Sequence, residues 1–173
     1  MVLLVVLGQV RRFSGLFEGF SAYLQSESGI AQLESIEAGD TFEEFAVTGV
    51  DGRRHASREL ITERTLVLFL SADCAPCVEL LTELRPIQGV VDGIPLVIIS
   101  TNSNPMDQHK QEQDIEVFVD TDRQAMSAFS NKVAPRAFLV EADGLVLDKG
   151  IANSIGQLRA MVRRSGVAES SRI

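Results

Sequence analysis

Apolar residues first gather at 1–7, MVLLVVL. As a helix this run reaches about 10 Å, against about 30 Å of hydrocarbon in a bilayer, so alone it does not span. No basic region precedes it and no small-residue cleavage site follows, which argues against a secretory signal. Two readings stay open. The run is the end of a longer transmembrane helix, or Met1 is the start and the run is an interfacial or packed helix. Phe13, Leu16, Phe17, Phe20, Tyr23 and Leu24 then recur at helical spacing, the stripe of an amphipathic helix weakened by Gly15 and Gly19. Its polar face carries Glu18 rather than Lys or Arg, which favours packing on protein over lying on lipid. Residues 25–39 read as a polar connector. The chain therefore divides into 1–38, a helical segment and connector with a candidate membrane anchor; 39–165, a folded body; and 166–173, a frayed tail.

The pattern changes in the body. Residues 45–50 alternate as a strand, Asp51-Gly52 signals a tight hairpin, and 53–56 return. Ser57 is the expected cap of a short helix through Ile61. Residues 66–70 (LVLFL) and 94–99 (IPLVII) are continuous apolar runs, as expected of strands buried on both faces. Between them Cys77, Leu80, Leu81 and Leu84 keep helical spacing until Pro86. Residues 102–114 are polar and loop-like, and 115–119 (IEVFV) form a third strand. Thr121 is the expected cap of a helix over 122–130. A hairpin about Asp143-Gly144 joins 137–140 to 145–147, and 155–162 close the body as an amphipathic helix. Strands alternating with helices, then a hairpin and a last helix, predict an α/β sandwich around a central sheet.

Length and charge narrow the function classes. The 173 residues are 45% hydrophobic and 23% charged, enough for one well-packed domain. A net charge of −8 disfavours nucleic acid as a partner, because phosphate backbones reward clustered Lys and Arg. The two cysteines, Cys74 and Cys77, exclude a multi-bridge scaffold and a four-cysteine zinc site. With His55 and His109 distant in sequence and read as surface residues, no metal ligand set is expected.

Cys74-Ala75-Pro76-Cys77 falls where a buried strand ends and a helix begins. Unpaired N–H groups and the positive end of the helix dipole stabilise a thiolate there. Pro76 suits the first helical turn, since its missing N–H would have lacked a partner. Such a dithiol exchanges disulfides: Cys74 attacks, and Cys77 resolves the mixed disulfide. A two-ligand zinc fragment or a structural disulfide, which would stabilise little across so short a loop, are the weaker alternatives. Val133-Ala134-Pro135 opens the strand expected beside the dithiol. A cis bond at Pro135 would present the Ala134 backbone to an extended substrate.

These pieces together resemble the thioredoxin-like superfamily, and more narrowly the membrane-tethered TlpA/ResA group and the methylamine-utilisation MauD proteins. The resemblance covers Gly39, Asp40 and Phe45, the Asp51-Gly52 turn, LVLFLSADCAPC, VAPRAFLV, Asp143-Gly144 and KGIANSIGQLRAMV. The MauD likeness rests on Cys77-Val78-Glu79-Leu80-Leu81 and on residues 149–154. The resemblance implies a central mixed β-sheet flanked by helices, here with an N-terminal helical extension. It implies Cys74 as attacking thiol, Cys77 as resolving thiol and Pro135 as a cis-proline. It also implies a protein-disulfide oxidoreductase, a reductase rather than an oxidase, fed by an upstream electron donor. No cofactor is implied beyond the Cys74–Cys77 disulfide. An extracytoplasmic, periplasmic domain on an N-terminal anchor is implied too. Arg11 and Arg12, read alone by the positive-inside rule, would leave the body cytoplasmic.

Departures matter as much. The family usually carries Trp where this chain has Asp73, and a carboxylate beside the nucleophile disfavours its thiolate. The buried acid of thioredoxins falls on Leu68, and the TlpA/ResA glutamate falls on Leu80. Glu79 and Glu83 read as solvated helix charges. The residues leave two competing functions. One is a peroxiredoxin-like peroxidase, for which Ser71 is suitably placed but Val67 replaces the required proline. The other is a binding module that keeps the fold without turnover.

Overall fold

The computed structural model describes residues 35–101 and 115–170. The stripe over 13–24, the connector to 34, and the polar loop 102–114 with His109 and Lys110 lie outside the described residues. Among the described residues no helix is long and apolar enough to cross a membrane.

The elements run β1 (Ala46–Thr48), β2 (Arg54–Ala56), α1 (Ser57–Leu60), β3 (Thr65–Leu70), α2 (Ala75–Leu84), a 3-10 turn (Arg85–Ile87), β4 (Val90–Val91), β5 (Ile94–Ser100), β6 (Val117–Val119), α3 (Gln124–Ala128), β7 (Arg136–Val140), β8 (Val146–Ile151) and α4 (Ile155–Ser170). The sheet order is β2-β1-β6-β5-β3-β7-β8, with β4 paired to β5. β3 pairs in parallel with β5, and β5 with β6, while β7 runs antiparallel to both β3 and β8. This is a mixed α/β sheet, as the sequence predicts.

Every residue of β3 is buried because the strand is covered on both faces. Leu66, Leu68 and Leu70 face α2 and α4, in one core with Cys77, Leu80, Leu84, Leu139, Leu158 and Met161. Val67 and Phe69 face the other way, in a second core with Phe45, Phe118, Phe129, Phe138 and Val140. The period-two alternation of the pleat sorts each apolar run between these cores.

Local details correct several expectations. Ser57 does not cap α1; Ala56 holds that position. The Ser57 hydroxyl instead accepts the Phe45 N–H at 3.3 Å, tying the helix to the segment entering β1. Thr121 does not cap α3. The carboxylate of Asp120, 2% exposed, accepts the N–H groups of Ala125 and Met126 at 3.1 and 2.8 Å. The predicted β1–β2 hairpin forms, with Gly52 at φ +78°. Within it Asp51 accepts the Arg53 N–H at 2.9 Å, a bond that holds the Asp51 carboxyl below its ordinary range. His55 is half-buried rather than on the open surface: it sits edge-on to Phe118 and 3.8 Å from Asp51. The closing helix continues past Val162 to Ser170. Glu83 is not merely solvated, since its carboxylate accepts the Ile155 N–H at 2.9 Å and so caps α4.

Upstream of Gly39 the chain already lies on the body. Ile36 donates to the Phe129 carbonyl at 3.1 Å, and Gly39 and Val146 are joined by a 2.8 Å bond.

Candidate active site

β3 delivers the chain to the carboxyl edge of the sheet at Leu70, the usual location of sites in α/β sheets. Ser71 shapes the turn that follows: its carbonyl accepts the Cys74 N–H at 3.2 Å and its hydroxyl the Asp73 N–H at 3.4 Å. Cys74 then occupies the cap position of α2 in an extended conformation, with Pro76 in the first helical turn. The Cys77 N–H points at Cys74 Sγ, 3.3 Å away. A sulfur at a helix cap with a backbone donor aimed at it is a stabilised thiolate when the pair is reduced.

Cys74 and Cys77 are joined in a disulfide. Their surroundings differ. Cys74 is half-buried, whereas Cys77 is completely enclosed by the aliphatic core. Leu68 and Leu80, the two positions where the resemblance calls for acids, are also fully buried there. Cys77 therefore sits among hydrocarbon, which disfavours its thiolate.

The peptide bond between Ala134 and Pro135 is cis. It brings the Ala134 carbonyl oxygen to 3.7 Å from Cys74 Sγ. Five of the six site residues expected from sequence thus lie together: Cys74, Pro76, Cys77, Ala134 and Pro135. The sixth, Asp73, is exposed immediately before Cys74. Ser71, the residue that favoured a peroxidase, has its hydroxyl engaged with the Asp73 backbone.

Sequence reasoning passed over one neighbour. Arg136 follows Pro135 and opens β7, yet it is only 6% exposed. Its Nη1 donates to Ser35 Oγ at 2.6 Å, and among the described residues its Nε has no hydrogen-bond partner. Lys149, on the adjacent strand, donates to the same hydroxyl at 3.2 Å and to Glu37 at 2.7 Å. Burial pulls the Arg136 guanidinium below its ordinary pKa, against the raising effect of Glu37. The signal was present in VAPRAFLV, a charge inside an otherwise apolar strand.

No protein-family model matches the chain, and no curated protein does. Solved structures do match. One is a Chlorobium tepidum protein described as a thiol:disulfide interchange protein DsbE, with TM-score 0.61 and 21% identity over 78% of this chain and 98% of that one. Another is a secreted Mycobacterium tuberculosis disulfide oxidoreductase homologous to E. coli DsbE, with TM-score 0.55 and 19% identity over 69% of this chain and 95% of that one. A third is an exposed lipoprotein thioredoxin of Streptococcus pneumoniae, with TM-score 0.54 and 14% identity over 68% of this chain and 98% of that one. The fold is thioredoxin-like. In that thioredoxin-like frame the C-x-x-C tops α2 and the cis-proline loop faces it, the two features that strand order and local geometry bring together here.

Proposed function

We propose that the chain is a thiol–disulfide oxidoreductase acting on protein disulfides, and that it works as a reductase. The observation that carries this is the asymmetric pair: a half-buried Cys74 at the α2 cap, 3.7 Å from the Ala134 carbonyl, backed by a fully enclosed Cys77. The reduced Cys74 thiolate attacks one sulfur of a substrate disulfide. The S–S bond breaks, and the departing sulfur leaves as a thiolate that takes a proton from water. Cys77 then gives up its proton and attacks Cys74 Sγ, releasing the second substrate sulfur. Two electrons pass to the substrate and the Cys74–Cys77 disulfide remains, to be reduced by an upstream thiol donor. The disulfide is the electron carrier, so the proposal needs no bound cofactor.

In this reading Ala134 offers its backbone to an extended substrate segment beside Cys74, an addition in the manner of a β-strand. Pro76 sets the first turn of α2, and Asp73 tempers the thiolate. Likeness to a secreted protein and to an exposed lipoprotein supports an extracytoplasmic site of action, with the segment before residue 35 as the tether.

The test is trapping. Reduced Cys77→Ala protein offered a disulfide-bearing protein accumulates a mixed disulfide through Cys74, visible by non-reducing electrophoresis and mass spectrometry. A binding module without turnover accumulates none. Equilibration of the wild-type pair with glutathione gives the direction: a potential near thioredoxin's, about −270 mV, supports the reductase, and one near DsbA's, about −120 mV, refutes it.

A further inference from the structure

Arg136 is an expensive residue to bury. A guanidinium stays charged in proteins, and burial of a charge is tolerated when it is paired and hydrogen-bonded. Here the pairing is incomplete. Nη1 meets a neutral hydroxyl, Ser35 Oγ, and Nε meets no acceptor among the described residues. The carboxylate whose charge opposes its desolvation is Glu37, which has 72% of its side chain exposed and is bonded to Lys149 at 2.7 Å. Two cations, Arg136 and Lys149, thus converge on one serine, and among the described residues Glu37 is the acid bonded beside them.

The location of that charge is informative. Arg136 is the residue after Pro135, and Ala134 touches Cys74. In the sheet it pairs with Phe69, one residue before β3 ends and the turn to Cys74 begins. Standard backbone dimensions then keep the Arg136 Cα within about 13 Å of Cys74 Sγ. By strand alternation its side chain shares the Phe138 face, across the sheet from α2. The sheet about Arg136 is dry: its β3 partner Phe69 and the neighbouring Leu70, Cys77 and Ala137 are all 0% exposed. Charges separated by buried material are screened far less than charges separated by water.

We propose that Arg136 is a positioning residue for the attacking thiol, a buried cation that stabilises the Cys74 thiolate from behind the cis-proline strand. The inference rests on Cys74 as the attacking sulfur. At a separation of about 13 Å and an effective dielectric of about 20, a unit charge moves a thiol by about one pKa unit. Among the described residues, the other charged groups close in sequence to the site are Asp73 before the sulfur, Glu79 on α2 and Lys132 on the loop before Pro135. All three are exposed, so water and salt weaken them. Lys149 adds to the field of Arg136, and Glu37 subtracts from it.

The experiment reads ionisation without turnover. In a Cys77→Ala background, so that one thiol is present, Cys74 is titrated by thiolate absorbance and by its rate of alkylation. Arg136→Met raises the Cys74 pKa by about one unit and slows alkylation at mildly acidic pH about tenfold. Arg136→Lys, which keeps the charge, returns most of the shift. Glu37→Gln, at an exposed position, moves Cys74 the opposite way by a few tenths of a unit. A Cys74 titration unchanged in Arg136→Met, with altered unfolding alone, overturns the proposal and leaves Arg136 a structural clamp. Should Arg136→Met not fold, Arg136→Gln, which removes the charge and keeps hydrogen-bond donors, is titrated instead, and no shift there overturns the proposal equally. Failure of the trapping experiment would refute the redox reading while leaving this titration readable.

Discussion

On the α2–α4 side of the sheet the core is aliphatic: Leu66, Leu68, Leu70, Leu80, Leu81, Leu84, Leu139 and Leu158 share one cluster with Cys77. On the α1–α3 side it is aromatic, with Phe45, Phe69, Phe129 and Phe138 in mutual ring contact. The polar content differs as well. The aromatic side takes in two charged groups, Asp120 and Arg136, both buried, whereas the aliphatic side takes in the neutral Ser100, which shares the face of Ile98 and pairs with Leu70. One sheet therefore separates two tasks. The aliphatic side encloses Cys77, which is 0% exposed, away from water. The aromatic side carries the buried polar groups that anchor a helix cap and the N-terminal strap.

The largest effect expected from breaking this arrangement is at Phe129, fully buried with ring centroids 4.6 Å from Phe138 and 4.7 Å from Phe42. Phe129→Ala should lower stability by about 3–5 kcal/mol in denaturant unfolding, with the Cys74–Cys77 potential unchanged. Its counterpart on the aliphatic side is Leu80→Ala, at about 2–5 kcal/mol. That change should also raise the alkylation rate of reduced Cys77, because the removed side chain belongs to its enclosure. Leu80→Ala without any change at Cys77 would show that the division of tasks is wrong.

A smaller effect is expected at Asp120. Asp120→Ala deletes the acceptor of two helix N–H groups and should lose about 1–2 kcal/mol, measured by the same unfolding curves. Asp120→Asn keeps an acceptor and should lose less. Equal losses in the two variants would mean that one retained acceptor, without the charge and the second hydrogen bond, does not hold α3.

The contrast between the faces also explains what the sequence disclosed. The runs LVLFL and IPLVII are recognisable as buried strands because both faces are apolar, and the C-x-x-C between strand and helix declares itself by residue type and place. Strand order is not a local property: β1 lies beside β6 through pairing of Thr48 with Val119, residues far apart in the chain. Caps were misread for a related reason. Ser57 and Thr121 have the right chemistry at the right offset, but tertiary contacts give the hydroxyl of Ser57 to Phe45 and the cap of α3 to Asp120. Thr121 meets Thr48 across the β1–β6 junction instead. Arg136 was missed because a charge beside a proline reads as surface punctuation until the strap at Ser35 is seen to cover it.

The finest test compares two charges of opposite sign near one sulfur, Asp73 in solvent and Arg136 in the protein. Removing the carboxylate with Asp73→Asn favours the thiolate, so the Cys74 pKa falls. A thiolate exists only in the reduced pair, so stabilising it makes the couple more oxidising. The shift should be a few tenths of a unit, because the carboxylate is exposed. Salt separates the two charges: raising ionic strength should erase the Asp73→Asn shift and leave the Arg136→Met shift nearly intact. Equal salt sensitivity would place both groups in the same solvent-screened environment, contrary to the burial of Arg136. An Asp73→Asn protein whose Cys74 titrates as in the wild type would mean that the helix cap alone governs this thiol from the solvent side.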